Sequence, residues 1–258
     1  MVREKLSVYI ITYNEEKKIR DCLESIKWAD EIVVVDSYST DATVEICREY
    51  TDKIFYAKFE GFGKLRNLAV SYTSYDWVLS LDADERVSEE LKDEILSKLT
   101  TGPDADAYFI PRRSHFLGYW IRYSGWYPDY RQPQFFNKKK MKYEDEHLVH
   151  EGFKLNPGAK ISFLKGHIIQ FPFLTLDEFI KKMEKYSNLK AQQMFNERKK
   201  FTLIQLVIHP FICFIRMYIV KLGFLDGEVG FILALLYSYY TFIKYVRLWE
   251  LYQFSVKQ

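Results

Sequence analysis

Asp82, Asp84 and Glu85 crowd into the pentapeptide LDADE, directly after the apolar run DWVLS. Like charges this close repel and raise one another's pKa, so the cluster by itself adds no stability. Two carboxylates two residues apart, just past a strand, can instead turn toward one hard cation. Mg2+ and Mn2+ prefer oxygen ligands and commonly take one or two carboxylates together with substrate phosphates. The plainer alternative is that one acid caps the next helix and the others are solvated. A second cluster, VVVDSYSTD, sets Asp36 at the end of a buried run, with Ser37, Ser39 and Asp41 in the turn that follows. An acid there can accept hydrogen bonds from a ribose or a base. Capping by Thr40 or Asp41 explains the turn but not Asp36. A third cluster, TYNEE, carries Thr12, Asn14, Glu15 and Glu16. Asn14 there is equally a candidate N-cap, and the acids suit a helix dipole. In GFGKLRN, Lys64 and Arg66 stand at a helix start, where cations are disfavoured unless an anion lies nearby.

The elements that must position these clusters alternate. LSVYIIT (6–12), EIVVVD (31–36), KIFYA (53–57) and DWVLSL (76–81) read as strands, with helical spacing between them. EIVVVD shows little alternation, as expected of a strand buried on both faces. Strands and helices at this rhythm predict a largely parallel sheet covered by helices, and such sheets bind ligands beyond the carboxyl ends of their strands. The three polar clusters all fall at such ends. From about residue 105 the rhythm breaks into short strands and loops rich in aromatic and basic residues. Arg112, Arg113 and Arg122 mix there with Trp120 and Trp126. Aromatic faces suit sugars and arginine forks suit anionic lipids. Stacking on single-stranded nucleic acid is the weaker reading.

The 258 residues carry a formal net charge of +2, which argues against a nucleic-acid binder by bulk charge. Cys22, Cys47 and Cys213 are odd in number and widely spaced, which fits a reducing compartment. MVREKLSVYI runs straight into a strand, so no signal peptide is expected. The end of the chain holds two apolar, aromatic segments around GFLDGE. The first is interrupted by His209, Pro210 and Arg216, and the second has fifteen uncharged residues from Val229 to Ile243. Basic residues at Arg198, Lys199, Lys200, Lys221, Lys244 and Arg247 border them. That mixture suits helices lying in a membrane interface. A hairpin packed on the rest of the chain, or on a second copy, is the alternative.

SVYIITYNEE, EIVVVDSYSTDAT, GFGKLRNLA and LDADE, in this order, resemble the family 2 glycosyltransferases of the GT-A fold. FLGYWIRYSGWYPD and LVHE extend the resemblance to the branch containing the lipopolysaccharide-core β-glucosyltransferases, over roughly residues 5–170. It implies a GT-A domain over 1–172, with a nucleotide-sugar half (1–104) and an acceptor half (105–172), and a helical extension over 173–258. It further implies that Thr12, Asn14 and Asp36 contact a uridine, with Glu15 and Ser37 close by and Arg66 near the base. Asp82 and Asp84 would hold Mg2+ or Mn2+ and the donor diphosphate. Tyr38 departs from the family's usual small residue.

An inverting transfer also needs a carboxylate to take the acceptor's proton. Asp129, Asp145, Glu146 and Glu151 are candidates, and Glu151 is the choice, with Asp145 and Glu146 in reserve. His150 would touch the metal or diphosphate, or orient Glu151. Arg113, Arg122, Trp126 and Asp129 are the expected acceptor-binding residues. The expectation is a UDP-sugar-dependent hexosyltransferase, glucose being the expected hexose, acting on lipopolysaccharide core or another envelope glycolipid. Its expected place is the cytoplasmic face of the inner membrane, and self-association through the C-terminal helices is a further expectation. A sugar-nucleotidyltransferase is the nearest rival enzyme, but TYNEEKK has none of the glycines of its phosphate loop. A non-catalytic membrane-associated module of the same fold is the other alternative.

Overall fold

A computed structural model describes residues 3–144 and 152–255. Two compact units account for the chain, one of residues 1–113 and 129–170, the other of 114–128 and 171–258. The segment 114–128, grouped by sequence with an acceptor half, therefore belongs to the same unit as the C-terminal helices.

In the first unit, β1 (Leu6–Thr12), β2 (Glu31–Asp36), β3 (Ile54–Tyr56) and β4 (Trp77–Asp82) are parallel neighbours in the order β4-β1-β2-β3. Helices α1 (Ile19–Glu24), α2 (Thr43–Arg48) and α3 (Phe62–Ser71) supply the connections. All seven residues of β1 are buried, which is why it reads as a continuous apolar run. Alternate side chains feed two cores. Val8, Ile10, Leu79 and Leu81 face α1 and α4 (Glu89–Thr101), while Tyr9, Val33, Val35 and Val78 face α3.

Beyond β4 the sheet departs from simple alternation. β5 (Glu85–Val87), β6 (Ala107–Phe109), β7 (Arg112–Phe116) and β8 (Tyr119–Trp120) precede β9 (Phe135–Asn137), which is inserted antiparallel between β4 and β6. The hairpin of β10 (Met141–Tyr143) and β11 (Phe153–Leu155) follows, and β12 (Ile161–Phe163) closes the edge, parallel to β6. The seven strands run β12-β6-β9-β4-β1-β2-β3. The start of β13 (Ile168–Phe173) pairs antiparallel with β5. The predicted mixed α/β architecture with a central, largely parallel sheet is what the chain forms.

At the opposite edge from the strand ends, Glu31 accepts from Ser7, Ser74 and Lys53. Burial pushes its carboxyl up, but the bonds from Lys53, Ser7 and Ser74 outweigh that and bring it down to about 2. A depressed carboxyl contributes stability that is present above its unfolded value of 4.5 and lost as pH falls toward 2. Glu31→Gln should accordingly lower the melting temperature at about pH 6, with the difference closing by about pH 2.5. A difference that persists undiminished in acid would exclude this account.

In the second unit, β8 pairs with the end of β7. The helices α5 (Leu176–Asn196), α6 (Leu203–Ile215) and α7 (Gly227–Ser255) follow. Phe116, Ile121, Phe173, Phe179 and Leu233 form its main apolar cluster, and a second gathers Ala191, Met194, Tyr245 and Leu248. α6 starts with a capping box from Thr202 and Gln205 and continues through Pro210 into a π-helical turn, Arg216–Val220. Pro210, one of the residues that interrupt the apolar run, thus lies inside the helix. Asp226 accepts from the backbone N–H groups of Arg122 and Tyr123 at 3.1 and 3.0 Å, fixing 122–123 to the turn before α7. Gly230 is required there, since a Cβ would lie 1.9 Å from the Gly223 carbonyl oxygen.

Candidate active site

Strand register brings the three polar clusters together. Thr12 is paired with Asp36, and Ile11 with Asp82, so β1, β2 and β4 end side by side. Asp36 is fully buried, and its Oδ1 and Oδ2 accept from Ser39 N (2.8 Å) and Ser39 Oγ (2.5 Å). Asn14, in the left-handed region at φ 53°, does not cap its own helix. Its Oδ1 accepts from Thr40 N at 2.8 Å, and its own N–H donates to Ser39 Oγ at 2.8 Å. The Glu15 N–H donates to Thr43 Oγ1, and Ser37 N–H to the Thr12 carbonyl. The loops after β1 and β2 thus brace each other. Thr12 Oγ1, by contrast, is buried with no hydrogen-bond partner among the described residues. A buried hydroxyl left so calls for an explanation, and a ligand at the strand ends is one.

Around LDADE each carboxylate has a different environment. Arg66, nearly fully buried, reaches from α3 to donate to Ser80 Oγ at 2.9 Å and Asp82 Oδ1 at 2.8 Å. The Asp82 side chain stays about a third exposed, at 31%. Burial pushes its carboxyl up, but Arg66 and Arg112 outweigh this and hold it below the ordinary range. Glu85 is fully buried; its Oε1 accepts from Arg112 Nε at 2.7 Å and its Oε2 from Asp82 N at 3.0 Å. Burial raises its carboxyl against the pull of Arg112. Asp84 is half-buried, with Gln170 Nε2 3.4 and 3.5 Å from its two oxygens. The repulsion inherent in LDADE is thus relieved by arginines at two of the three acids.

Among the described residues no three His, Cys, Asp or Glu side chains form a metal cage. Asp82 and Asp84 remain as an all-oxygen pair, and Asp82 Oδ2 accepts no hydrogen bond among those residues. Two carboxylates that leave room for phosphate oxygens and water fit Mg2+ or Mn2+ better than a closed site would.

Other expected residues are distributed. Asp129 Oδ2 accepts from Arg131 Nε at 2.7 Å, and its carbonyl accepts from Arg112 at 3.0 Å. Arg113 is half-buried on β7, near His167, whose imidazole it helps to hold below the usual range after burial. In the second unit, Trp126 packs edge-on against Phe116 and Tyr237 as part of the apolar cluster. Arg122 lies exposed over the Trp120 and Tyr123 rings. Asp145, Glu146, His150 and Glu151 lie outside the described residues.

Two features escaped the sequence reading. Arg112, taken as part of an acceptor-facing set, is instead 2% exposed and committed to Glu85. Tyr38 and Tyr56 form an exposed ring pair, centroids 5.8 Å apart, beside Asp36. The sequence signal was Tyr38 itself, a bulky residue where the family usually has a small one; it sits in the left-handed region at φ 64°.

Residues 7–157 match the family model described as Glycosyl transferase family 2. The chain is 30% identical to the lipopolysaccharide core biosynthesis glycosyltransferase LpsC of Rhizobium meliloti (strain 1021), over 95% of this chain and 92% of that one. It is 27% identical to an uncharacterized glycosyltransferase of Rickettsia prowazekii (strain Madrid E), over 96% and 88%. Among solved structures it is similar to S. aureus TarS 1–349 in complex with UDP, with a TM-score of 0.47 and 19% identity over 97% and 92% of the two chains.

Proposed function

This chain belongs to glycosyl transferase family 2, and we propose that it is an inverting, metal-dependent hexosyltransferase. Its donor is a UDP-sugar, UDP-glucose by expectation. Its acceptor is the saccharide of lipopolysaccharide core or of a related envelope glycolipid. The observation that carries the donor reading is the convergence of Thr12, Asp36 and Asp82 at adjacent strand ends, with Thr12 Oγ1 buried and unpartnered there. The acceptor class is supported by likeness to a glycosyltransferase named for lipopolysaccharide core biosynthesis.

In this reading the Thr12 hydroxyl donates a hydrogen bond to the nucleoside, and Asp36, held by Ser39, offers its carboxylate to the uridine beside Asn14, Glu15 and Ser37. Arg66 acts on Asp82 rather than on a base directly: it fixes the carboxylate's orientation and keeps it ionised. A divalent cation held by Asp82 and Asp84 would supply Lewis-acid compensation for the charge of the departing diphosphate. Glu151 remains the proposed base, with Asp145 and Glu146 as the other candidates and His150 beside them. The base takes the acceptor hydroxyl's proton as that oxygen bonds to the anomeric carbon and UDP leaves from the opposite face.

α6 supports attachment to a membrane surface. Leu203, Ile204, Val207, Ile208, Phe211 and Ile212 are all exposed on it. With Arg198, Lys199 and Lys200 just before it and Arg216 and Lys221 after, it has the apolar face and cationic flanks that meet anionic lipid. Leu203–Val220 and Gly223–Phe254, with mean hydropathies of 1.9 and 1.4, are also long and apolar enough to cross a membrane. The proposed place is the cytoplasmic face of the inner membrane.

Calorimetric titration with UDP, UDP-glucose, GDP-mannose and CMP, with and without Mn2+, tests the donor assignment. Mn2+-dependent binding confined to the uridine nucleotides is expected; indifference among nucleotides would overturn it. Flotation with anionic vesicles, comparing the parent with Phe211→Glu, tests the membrane assignment, which falls if the two partition alike.

A further inference from the structure

A group of aromatic rings in the first unit has no part in the site above. Phe109 ends β6, Phe163 ends β12, Phe153 starts β11, and Tyr130 lies in the loop before β9. Phe109 and Phe163 stack, with centroids 5.3 Å apart and planes 19° from parallel. Tyr130 meets Phe163 edge-on at 5.1 Å, and Phe153 meets Phe109 at 5.9 Å. The group is packed within itself yet open to solvent, Phe163 being 56% and Tyr130 41% exposed. Single exposed aromatics need no explanation, but four that preorganise one another on a surface do.

Its position follows from sheet register. β6 and β12 run parallel to β4, and Phe109 and Phe163 pair with each other at the level of Ser80, two residues below Asp82. Ala107 lies in the α3-side core with Val78, so Phe109, two residues on, points to the face on which Arg66 meets Ser80 and Asp82. Two or three strand spacings separate the rings from β4, roughly 10–15 Å along one face. The ion pair of Asp129 and Arg131 flanks Tyr130 and borders the rings with polar atoms.

We propose that Phe109, Tyr130 and Phe163, rimmed by Asp129 and Arg131, form a stacking platform for a sugar ring of the acceptor saccharide. This rests on the glycosyl-transfer reading of the Asp82 site and extends it to the other substrate. A pyranose has one face of C–H groups, which packs on aromatic rings through dispersion and weak C–H contacts, and an equator of hydroxyls, which a carboxylate–guanidinium pair can bond bidentately. The platform offers both, on the same face and sheet edge as the donor site, at a span a short oligosaccharide covers. A second copy of the chain fits less well. The exposed parts of Phe163 and Tyr130 amount to roughly 200 Å², against about 800 Å² per partner in a stable protein interface.

The test uses the full chain, deacylated lipopolysaccharide-core oligosaccharide and UDP-glucose. Phe163→Ala and Tyr130→Ala remove half-exposed rings, so both variants should fold. Each should raise the oligosaccharide KM roughly tenfold. Each should also weaken saturation transfer from protein to oligosaccharide C–H protons, while UDP affinity stays at the parent value. Unchanged saturation transfer and acceptor KM would overturn the platform. So would a parent dimer that Phe163→Ala dissociates without weakening oligosaccharide contact. Absence of UDP binding to the parent would instead overturn the donor reading, and saturation transfer would still decide the platform separately.

Discussion

Asp84→Ala should weaken Mn2+-dependent UDP binding by roughly 100-fold or more, about 2.7 kcal/mol, and leave metal-free UDP binding unchanged. The reasoning is comparative. In the proposed reading Asp82 and Asp84 hold the cation, and Asp82 is also tied to a buried arginine, Arg66. Removing Asp82 would also break the 2.8 Å ion pair with Arg66, which is 3% exposed, so lost binding would be mixed with lost stability. Asp84 has long contacts to Gln170, at 3.4 and 3.5 Å, whose loss costs little. Asp84→Ala therefore leaves the Arg66–Asp82 pair in place. Titrations with and without Mn2+, with melting curves as the control, decide it. Binding equal to the parent's in Mn2+ would show that LDADE does not hold a donor-linked cation.

The largest stability effect is expected at Arg112. Arg112→Met strands the Glu85 carboxylate in an interior where it is fully buried, a loss of about 3–5 kcal/mol. For a chain of this size that corresponds to a fall in Tm of roughly 10 °C. Three further consequences separate this from a generic packing defect. Adding Glu85→Gln to Arg112→Met should recover part of the loss, because the unpaired charge disappears. The Tm deficit should also shrink as pH falls from about 8 to about 5. Burial already raises the Glu85 carboxyl and Arg112 opposes that, so removing Arg112 raises it further. A carboxyl raised in the folded state takes up its proton more readily than in the unfolded chain. Its penalty therefore grows as pH rises and is relieved in acid. Finally, Glu85 Oε2 holds the Asp82 N–H and Arg112 holds the Asp129 carbonyl, so UDP affinity should fall as well. A pH-independent deficit that Glu85→Gln cannot relieve would remove the ion pair from this account.

Much of the donor side of the molecule was legible in residue order. The apolar runs ending in Thr12, Asp36 and Leu81 could be little else but buried parallel strands, and parallel strands place their carboxyl ends on one edge. The meeting of TYNEE, DSYSTD and LDADE is therefore local information repeated three times. The family motifs sharpened it, because they name side chains at those ends.

What the tertiary structure decided has one physical character: it depends on partners distant in sequence. Periodicity tells which face a side chain takes, not what it meets there. Nothing near LDADE says that Glu85 is neutralised by Arg112, twenty-seven residues away, or that Arg66 reaches Asp82 across sixteen. β9 is a three-residue strand, too short for a pattern, and only its pairing inserts it antiparallel between β4 and β6. That insertion carries Phe109 and Phe163 along the sheet to the side of the site. The aromatic stretch around 114–128 likewise shows its partners only in three dimensions. Its Trp126 and Phe116 pack with Phe179 and Tyr237 of the C-terminal helices, rings far away in sequence that bury large apolar area together.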